Sequence, residues 1–177
     1  EPGTWVLASD AAVMRKAEPP SVVRRMTSGR RTWLDISVLG GTLVAYEGEV
    51  PVFATLISPG RGGVPERGRD PLETASTPTG TFRVNGKFVT VTMVASTNDQ
   101  LVHTEVQYVQ NFHGPHALHG AYWHDVWGEK KSGGCVNLAP TDSKRMFAWT
   151  EPALPQDWYG LRAVSSFGPA TVVVVHK

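Results

Sequence analysis

Glycine and proline interrupt this chain so often that its regular segments must be short. The sequence has 18 glycines and 13 prolines among 177 residues, and both residue types end helices or mark tight turns. Between them lie short runs rich in β-branched residues. Residues 32–38 (T-W-L-D-I-S-V) alternate with the period of two that a half-buried strand requires. The pattern predicts a domain made mainly of strands and turns.

Further strands and one helix are predicted along the rest of the chain. The helix covers residues 140–150, because Pro140 suits a first helical position and Asp142 suits the positive N-terminus. Residues 58–79 form a long loop rich in Gly, Arg and Pro, and a loop of that length in a compact domain is usually either functional or disordered. The predicted strands after the first cover residues 42–46, 50–57, 81–84, 88–94, 101–112 and 171–175.

Composition and chain ends narrow the classes of function. The net charge is +1, so no overall field favours nucleic acid, and no apolar run approaches the ~18 residues of a membrane span. The chain starts without methionine or a signal peptide, so we expect a mature or trimmed fragment from which any export signal has been removed. We expect residues 1–31 to be an N-terminal extension, a linker or the end of another module, and residues 32–177 to be the main domain.

The only cysteine lies sixteen residues after a histidine and is preceded by two glycines. Cys135 has no partner within the chain for a disulfide, and a thiol becomes a strong nucleophile when a nearby imidazole such as that of His119 takes its proton. Gly133 and Gly134 allow close approach of substrate, and the N–H groups of Gly134 and Cys135 are candidates to bind an oxyanion. This combination favours acyl transfer through a thioester.

Several ordered motifs resemble the L,D-transpeptidase catalytic domain, also called the YkuD family. They are W-L-D-I at residues 33–36, L-V-A-Y-E-G at 43–48, T-P-T-G-T-F at 77–82, A-L-H-G-A-Y-W-H at 117–124 and S-G-G-C-V-N at 132–137. The resemblance extends from Trp33 to about Tyr159. It implies a mixed α+β, mainly β fold: a sandwich of mixed sheets with one main helix after the cysteine.

The resemblance also implies a reaction on peptidoglycan stem peptides. Cys135 would form an acyl-enzyme at the third stem residue with release of D-alanine, His119 would be the base, and an amine would take the acyl group. The product would be a 3→3 cross-link or an attached protein, and no cofactor would be needed. The resemblance further implies an exported protein of the periplasm or cell wall, with an additional wall-associated module before Glu1. A carbonyl at or near Gly120 would orient the imidazole of His119. Residues expected to shape the substrate site are Gly120, Tyr122, Trp123, His124, Ser132, Gly133 and Asn137.

One position departs from the family's motif. The family usually has histidine two residues before the cysteine, where this chain has Gly133. The departure suggests one alternative, a wall-binding domain with reduced activity. A carboxypeptidase or other hydrolase that uses the same Cys–His site with water is also left open.

The other histidines are open to simpler interpretations. Zinc uses such ligands, but the spacing of His113, His116, His119 and His124 fits no helix face or zinc knuckle, so no metal site is predicted. His113 and His116 are then expected to be exposed loop residues. His124 is expected either to line the acceptor side or to cap a turn.

Overall fold

The strands form two five-stranded sheets, both of mixed direction. The computed structural model describes residues 6–27, 29–94, 102–162 and 168–177. The first sheet has the order β3-β2-β1-β10-β4 and the second the order β8-β7-β6-β5-β9. The strands are β1 Thr32–Ser37, β2 Thr42–Glu47, β3 Val50–Leu56, β4 Gly80–Arg83, β5 Gly86–Val94, β6 Val102–His113, β7 His116–Gly120, β8 Val136–Leu138, β9 Gly160–Arg162 and β10 Val172–His176; the helices are α1 Ser21–Arg24 and α2 Pro140–Trp149. The predicted fold class is confirmed.

The first sheet is organised around two buried strands. β1 runs parallel to β10 and antiparallel to β2, and β10 also pairs antiparallel with β4. The turn from β1 to β2 needs glycine at position 41, where φ is +60° and a Cβ atom would overlap the Gly128 carbonyl. The hairpin is thereby joined to the segment that leads to Cys135.

The hydrophobic core lies between the two sheets and extends under α2. Ile36 of β1, Leu118 of β7 and Met146 of α2 belong to one buried cluster. The helix begins at Pro140 as predicted, and the Asp142 carboxylate in its first turn accepts a hydrogen bond from Thr55 Oγ1 at 2.5 Å. Since α2 contacts β6 and β7, it supports the strand that carries His119.

Residues before β1 lie on the outer face of the first sheet. Val23 of α1 is fully buried in a cluster with Trp33 and Tyr46, whose rings stack at 4.3 Å, and the Ala17 N–H donates to the Tyr46 hydroxyl. Arg30 forms ion pairs with the carboxylates of Glu47, at 3.0 Å, and Glu151, at 3.8 Å. Residues 14–26 of this segment are therefore packed against the domain, whereas Val6, Leu7 and Val13 are exposed. That it ends another module stays a prediction.

A buried lysine joins the second sheet to the end of α2. Lys87 is fully buried on β5, and its ammonium donates hydrogen bonds to three carbonyl oxygens, at 2.5 Å to Phe147, 3.0 Å to Thr150 and 3.1 Å to Pro152. Burial, with a smaller contribution from Arg30, lowers the pKa of Lys87 to about 8. The ammonium thus satisfies carbonyls that a helix end leaves unpaired.

Replacement of this ammonium is expected to destabilise the domain. In Lys87→Met the carbonyls lose their donors inside the protein, which should cost roughly 2–4 kcal/mol in the free energy of unfolding. Urea denaturation measures the effect. Lys144→Met, on the exposed face of α2, is the matched control and should change stability by less than about 0.5 kcal/mol. Equal stability of the two variants would show that the Lys87 contacts contribute nothing.

Candidate active site

The parallel pairing of β7 with β8 places His119 and Cys135 on one face of the second sheet. His119 pairs with Asn137, and Leu118 pairs with Val136. Because successive side chains on a strand point to opposite faces, Leu118 and Val136 enter the main core, whereas Ala117 and Cys135 belong to a different cluster with Trp123. The thiol, which directly precedes β8, therefore shares its face with the imidazole and the Asn137 amide.

This face opens into a cavity of about 520 Å³. Six residues predicted from sequence line it, and apolar side chains of β5 and β6 continue its wall along the same sheet. Such a cavity, mainly apolar with a few polar groups, is typical of a substrate site. The predicted residues on the wall are His119, Trp123, Ser132, Gly133, Cys135 and Asn137; the apolar ones include Phe88, Val91, Met93 and Val109.

The His119 ring is oriented by its own backbone neighbour. Its Nδ1 lies 3.0 Å from the Gly120 carbonyl oxygen, at the place where the sequence predicts an orienting carbonyl. A carbonyl only accepts, so Nδ1 carries the proton and Nε2 keeps its lone pair. Burial, against the opposing effect of the Gly120 hydrogen bond, lowers the pKa of His119 to about 4. The imidazole is thus neutral near pH 7 and able to accept a proton at Nε2.

The Cys135 thiol is also held in its neutral form. The residue is half-buried, and burial raises the pKa of the thiol, although the Ala117 backbone partly offsets this. Its Sγ lies 4.0 Å from the Pro115 carbonyl oxygen. Since burial disfavours both charged forms, a resting thiolate–imidazolium pair is not supported. The arrangement instead favours transfer of the thiol proton during attack on a substrate.

The thiol is carried by a loop that we call the cysteine loop (residues 132–135). Hydrogen bonds between the Ser132 hydroxyl and the backbone fix this loop. The Ser132 hydroxyl donates to the Cys135 carbonyl oxygen at 2.5 Å and accepts from the Gly134 N–H at 3.1 Å. The sequence predicts that this N–H points at a substrate oxygen. In the structure it is engaged by Ser132, so the hydroxyl competes with any oxyanion for that donor.

The long loop of residues 58–79 supports the cysteine loop from one side. The Ser132 N–H donates to the Pro59 carbonyl at 3.1 Å, and the Arg61 N–H donates to the Ser132 carbonyl at 2.8 Å. An isolated bridge also joins Ser58 to Asn137. The predicted importance of this loop therefore has a structural basis, because it holds both ends of the motif that contains Cys135.

Four predicted site residues do not line the cavity. Gly120 acts through its carbonyl, and Gly134 lies behind Cys135. Tyr122 is exposed, and its hydroxyl donates to the Thr104 carbonyl at 2.8 Å. His124 lies in a second layer, where its Nε2 is 3.1 Å from the Asn137 amide nitrogen. His124 thus orients Asn137, whose Oδ1 is buried without a hydrogen-bond partner.

Two histidines that the sequence does not predict as site residues, His116 and His103, line the cavity. The prediction that His116 is exposed is wrong: it is 3% exposed, because it begins β7 and packs under the cysteine loop. His103, on β6, stacks on Trp123 with ring centroids 3.8 Å apart, and both residues line the cavity. Only the alternation of β6 gives a signal for His103. Among the described residues, no cluster of three His, Cys, Asp or Glu side chains is suited to bind a metal.

The raised thiol pKa predicts how Cys135 reacts with iodoacetamide. Only the thiolate reacts, so below the thiol pKa the alkylation rate should rise about tenfold per pH unit, without a plateau between pH 6 and 8.5. Stopped samples analysed by mass spectrometry give the rate. His119→Gln should keep this slope, because the neutral imidazole does not titrate in this range. A plateau from about pH 5 in the native protein, absent from His119→Gln, would demonstrate an ion pair and contradict the prediction.

Several solved structures have a fold similar to that of this protein. The structure is similar to an L,D-transpeptidase from Mycobacterium smegmatis (TM-score 0.59, 17% identity, 82% of this chain and 58% of that chain). It is also similar to one from Stackebrandtia nassauensis (TM-score 0.54, 20% identity, 86% and 57%). A third similar structure is that of LdtMt1 in complex with imipenem (TM-score 0.58, 18% identity, covering 82% of this chain and 58% of that chain).

These structures establish the fold, and the chain spans less than two thirds of their length. No curated protein sequence matches the chain. The family model described as the L,D-transpeptidase catalytic domain, YkuD, matches residues 31–175, which include the whole cavity and all of both sheets except His176. The chain therefore belongs to the L,D-transpeptidase catalytic domain family.

Proposed function

We propose that this protein is a cysteine-dependent L,D-transpeptidase that acts on peptidoglycan stem peptides. One observation carries the proposal: Cys135 and the tethered imidazole of His119 project into the same cavity from neighbouring parallel strands. Membership of the family supports peptidoglycan as the substrate class. No described helix is long and apolar enough to cross a membrane. The proposed place of action is the periplasm or the cell wall, where this substrate lies.

The proposed reaction proceeds through a thioester. His119 Nε2 takes the thiol proton as Sγ attacks the carbonyl carbon of the third stem residue. The tetrahedral intermediate collapses, the bond to D-alanine breaks, and the imidazolium returns the proton to the leaving amine. An acceptor amine then attacks the thioester and loses a proton to His119. Its new amide bond replaces the carbon–sulfur bond, and Cys135 recovers its proton from the imidazolium.

Stabilisation of the intermediate is assigned to the cysteine loop. The N–H groups of Cys135 and Gly134 are the proposed oxyanion donors. Because the Gly134 N–H bonds to Ser132 Oγ, binding of the oxyanion has to share or displace that contact. The buried Asn137 Oδ1 has no partner, and we assign it to an N–H group of the substrate.

The open space at Gly133 favours one alternative. A Cβ atom at this position would meet nothing within 4 Å, so water has room beside the loop. Hydrolysis of the same acyl-enzyme, as in an L,D-carboxypeptidase, is therefore the second candidate. A wall-binding domain with reduced activity is the third outcome that the assay below distinguishes.

Removal of the thiol or the base should abolish turnover. With a disaccharide tetrapeptide as substrate, Cys135→Ala and His119→Gln should lower the rate by roughly 10³-fold or more, as losses in acyl-transfer sites do. His176→Gln replaces an exposed histidine that does not line the cavity; it is the matched control and should keep full activity. Full turnover by Cys135→Ala would refute the mechanism.

The products of the same assay identify the acceptor. Mass spectrometry should show a cross-linked dimer and free D-alanine if an amine accepts the acyl group. A tripeptide with D-alanine, and no dimer, would support hydrolysis instead. Unchanged tetrapeptide with retained binding to isolated walls would support the binding domain.

The two glycines before Cys135 should differ sharply in how well they tolerate substitution. Gly133→His should leave activity unchanged or raise it, because the added side chain meets open space and the backbone there is not left-handed. Gly134→Ala should destabilise the protein by about 1–3 kcal/mol, since φ is +127° and the Cβ would lie 3.0 Å from both His116 Nε2 and the Ser76 carbonyl. Thermal unfolding measures the stability of each variant, and tetrapeptide turnover measures its activity. Collapse of activity in Gly133→His would show a site that depends on this glycine.

A further inference from the structure

An arginine lines the cavity at the edge of the second sheet that is farthest from the thiol. Arg162 of β9 pairs with Gly86 of β5, Gly86 pairs with Asn111 of β6, and Asn111 pairs with Ala117 of β7. Ala117 is in turn aligned with Cys135 by the parallel ladder of β7 and β8. Because residues directly opposite one another share a face of a sheet, one row carries the arginine at one edge and the thiol at the other, and both line the cavity.

The guanidinium of Arg162 lies over an aromatic ring of the cavity wall. Its Cζ is 5.1 Å from the centroid of the Phe88 ring, and Phe88 packs in the same cluster as Cys135. The Arg162 side chain is exposed, and no hydrogen bond or ion pair joins it to another residue in the described part of the chain. The ring attracts the cation, and the planar fork of N–H groups stays available to bind a carboxylate through two bonds.

Lysine and arginine supply all the permanent charges in the described wall of the cavity. Arg61, Lys131 and Arg162 line it, and none of the described residues that line it is Asp or Glu. Lys131 has a carboxylate partner outside the wall, Glu129, at 3.7 Å. The net charge of the whole chain is only +1, so the excess of positive charge is local to the cavity. Such a cavity attracts anionic groups of a ligand.

The position of the guanidinium restricts which anionic group it binds. Phe88, which lies under the guanidinium, is on β5, three strands from β8, and neighbouring strands are about 4.8 Å apart, so the thiol is roughly 14 Å away. The carboxylate of D-alanine adjoins the bond that breaks, within about one extended residue of 3.3 Å, and therefore stays near the cysteine loop. A carboxylate that meets Arg162 belongs to a residue farther along a stem peptide.

We propose that Arg162 is a specificity-determining residue that binds a free carboxylate of the stem peptide, away from the bond to D-alanine. The glutamate at the second stem position supplies this chemistry, in either the donor stem or the acceptor stem. The inference rests on the proposed function, since it names a substrate contact within the same cavity. No covalent step is assigned to Arg162.

Two substrates combined with two enzymes isolate this contact. The disaccharide tetrapeptide is used with either a free carboxylate or an amide on its second residue. For the native protein, KM should be about fivefold to tenfold lower for the carboxylate, as a partly exposed charge-assisted pair predicts. Arg162→Gln should raise KM for the carboxylate by the same factor and leave KM for the amide within about twofold of the native value, with kcat nearly unchanged.

Arg145→Gln is the matched control. Arg145 is an exposed arginine that also lies over a ring, 4.3 Å from the centroid of Phe53, but it does not line the cavity. This variant should keep the native KM for both substrates. A native KM that is equal for the two substrates, or lower for the amide, would overturn the inference. A rise of KM for both substrates in Arg162→Gln would also overturn it, because a loss that ignores the carboxylate indicates a structural role.

Separate measurement of acylation and transfer identifies the stem that supplies the carboxylate. The tetrapeptide is the donor, and a disaccharide tripeptide in excess, which has no D-alanine to release, is the acceptor. If the donor carboxylate is bound, Arg162→Gln should slow release of D-alanine from the carboxylate donor with either acceptor. If the acceptor carboxylate is bound, D-alanine release should be native and only the yield of cross-linked product with the carboxylate acceptor should fall.

The same assays separate this inference from the proposed function. Turnover that requires Cys135 but does not distinguish carboxylate from amide would overturn only the role of Arg162. Native protein that neither converts nor is acylated by either tetrapeptide would overturn the proposed function and the contact that rests on it.

Discussion

The parallel hydrogen bonding between β7 and β8 is the constraint on which the site depends. These two short strands are distant enough in sequence for a loop to form the cavity rim, yet their pairing sets His119 against Asn137. Alternation then sends Leu118 and Val136 into the core and the polar side chains into the cavity. Because the core side is fully buried, a shift of register by one residue would place the imidazole among aliphatic side chains at a cost of several hydrogen bonds. The core therefore enforces the geometry of the chemistry.

Burial also sets the protonation states of the reacting groups. It lowers the pKa of His119 and raises that of Cys135, so both start neutral, and a proton must move as the sulfur attacks. This arrangement protects the thiol from indiscriminate reaction at neutral pH, because little thiolate is present. The hydrogen bond from Nδ1 to the Gly120 carbonyl keeps the free lone pair on Nε2. A low-dielectric site with a fixed tautomer thus replaces a permanent ion pair.

Two of the five buried side-chain atoms that lack a hydrogen-bond partner among the described residues belong to residues of the cavity wall. Asn137 Oδ1 and His116 Nε2 are both buried and unpaired, and both residues belong to the cavity wall. His124 and the loop of residues 58–79 form the layer behind them and hold Asn137 and the cysteine loop in place. A buried acceptor without a partner is costly to folding, so the position of Asn137 Oδ1 in the cavity wall favours ligand binding over packing.

Sequence periodicity predicted the long elements well and the short ones poorly. β1, β2 and α2 have clear alternation, glycine turns or a proline start, and each lies within a residue or two of its predicted bounds. β8 and β9 have three residues each, too few for a period to be recognised. β8 forms because it pairs with the edge of β7, and β9 forms because it pairs with the edge of β5. Both pairings join segments that are distant in sequence. The same limit explains His116, whose neighbours Gly114 and Pro115 indicate an exposed turn although the residue starts a buried strand.

The sequence by itself determined the family, the mainly β class and the pairing of one cysteine with one histidine, because these depend on local motifs and residue types. Tertiary structure alone decided which histidines border the thiol, which N–H groups are already engaged, and that the thiol and imidazole are neutral. Those properties arise from burial and from contacts between segments far apart in the chain. Hydrogen bonding and desolvation act across space, so no local pattern of residues encodes them.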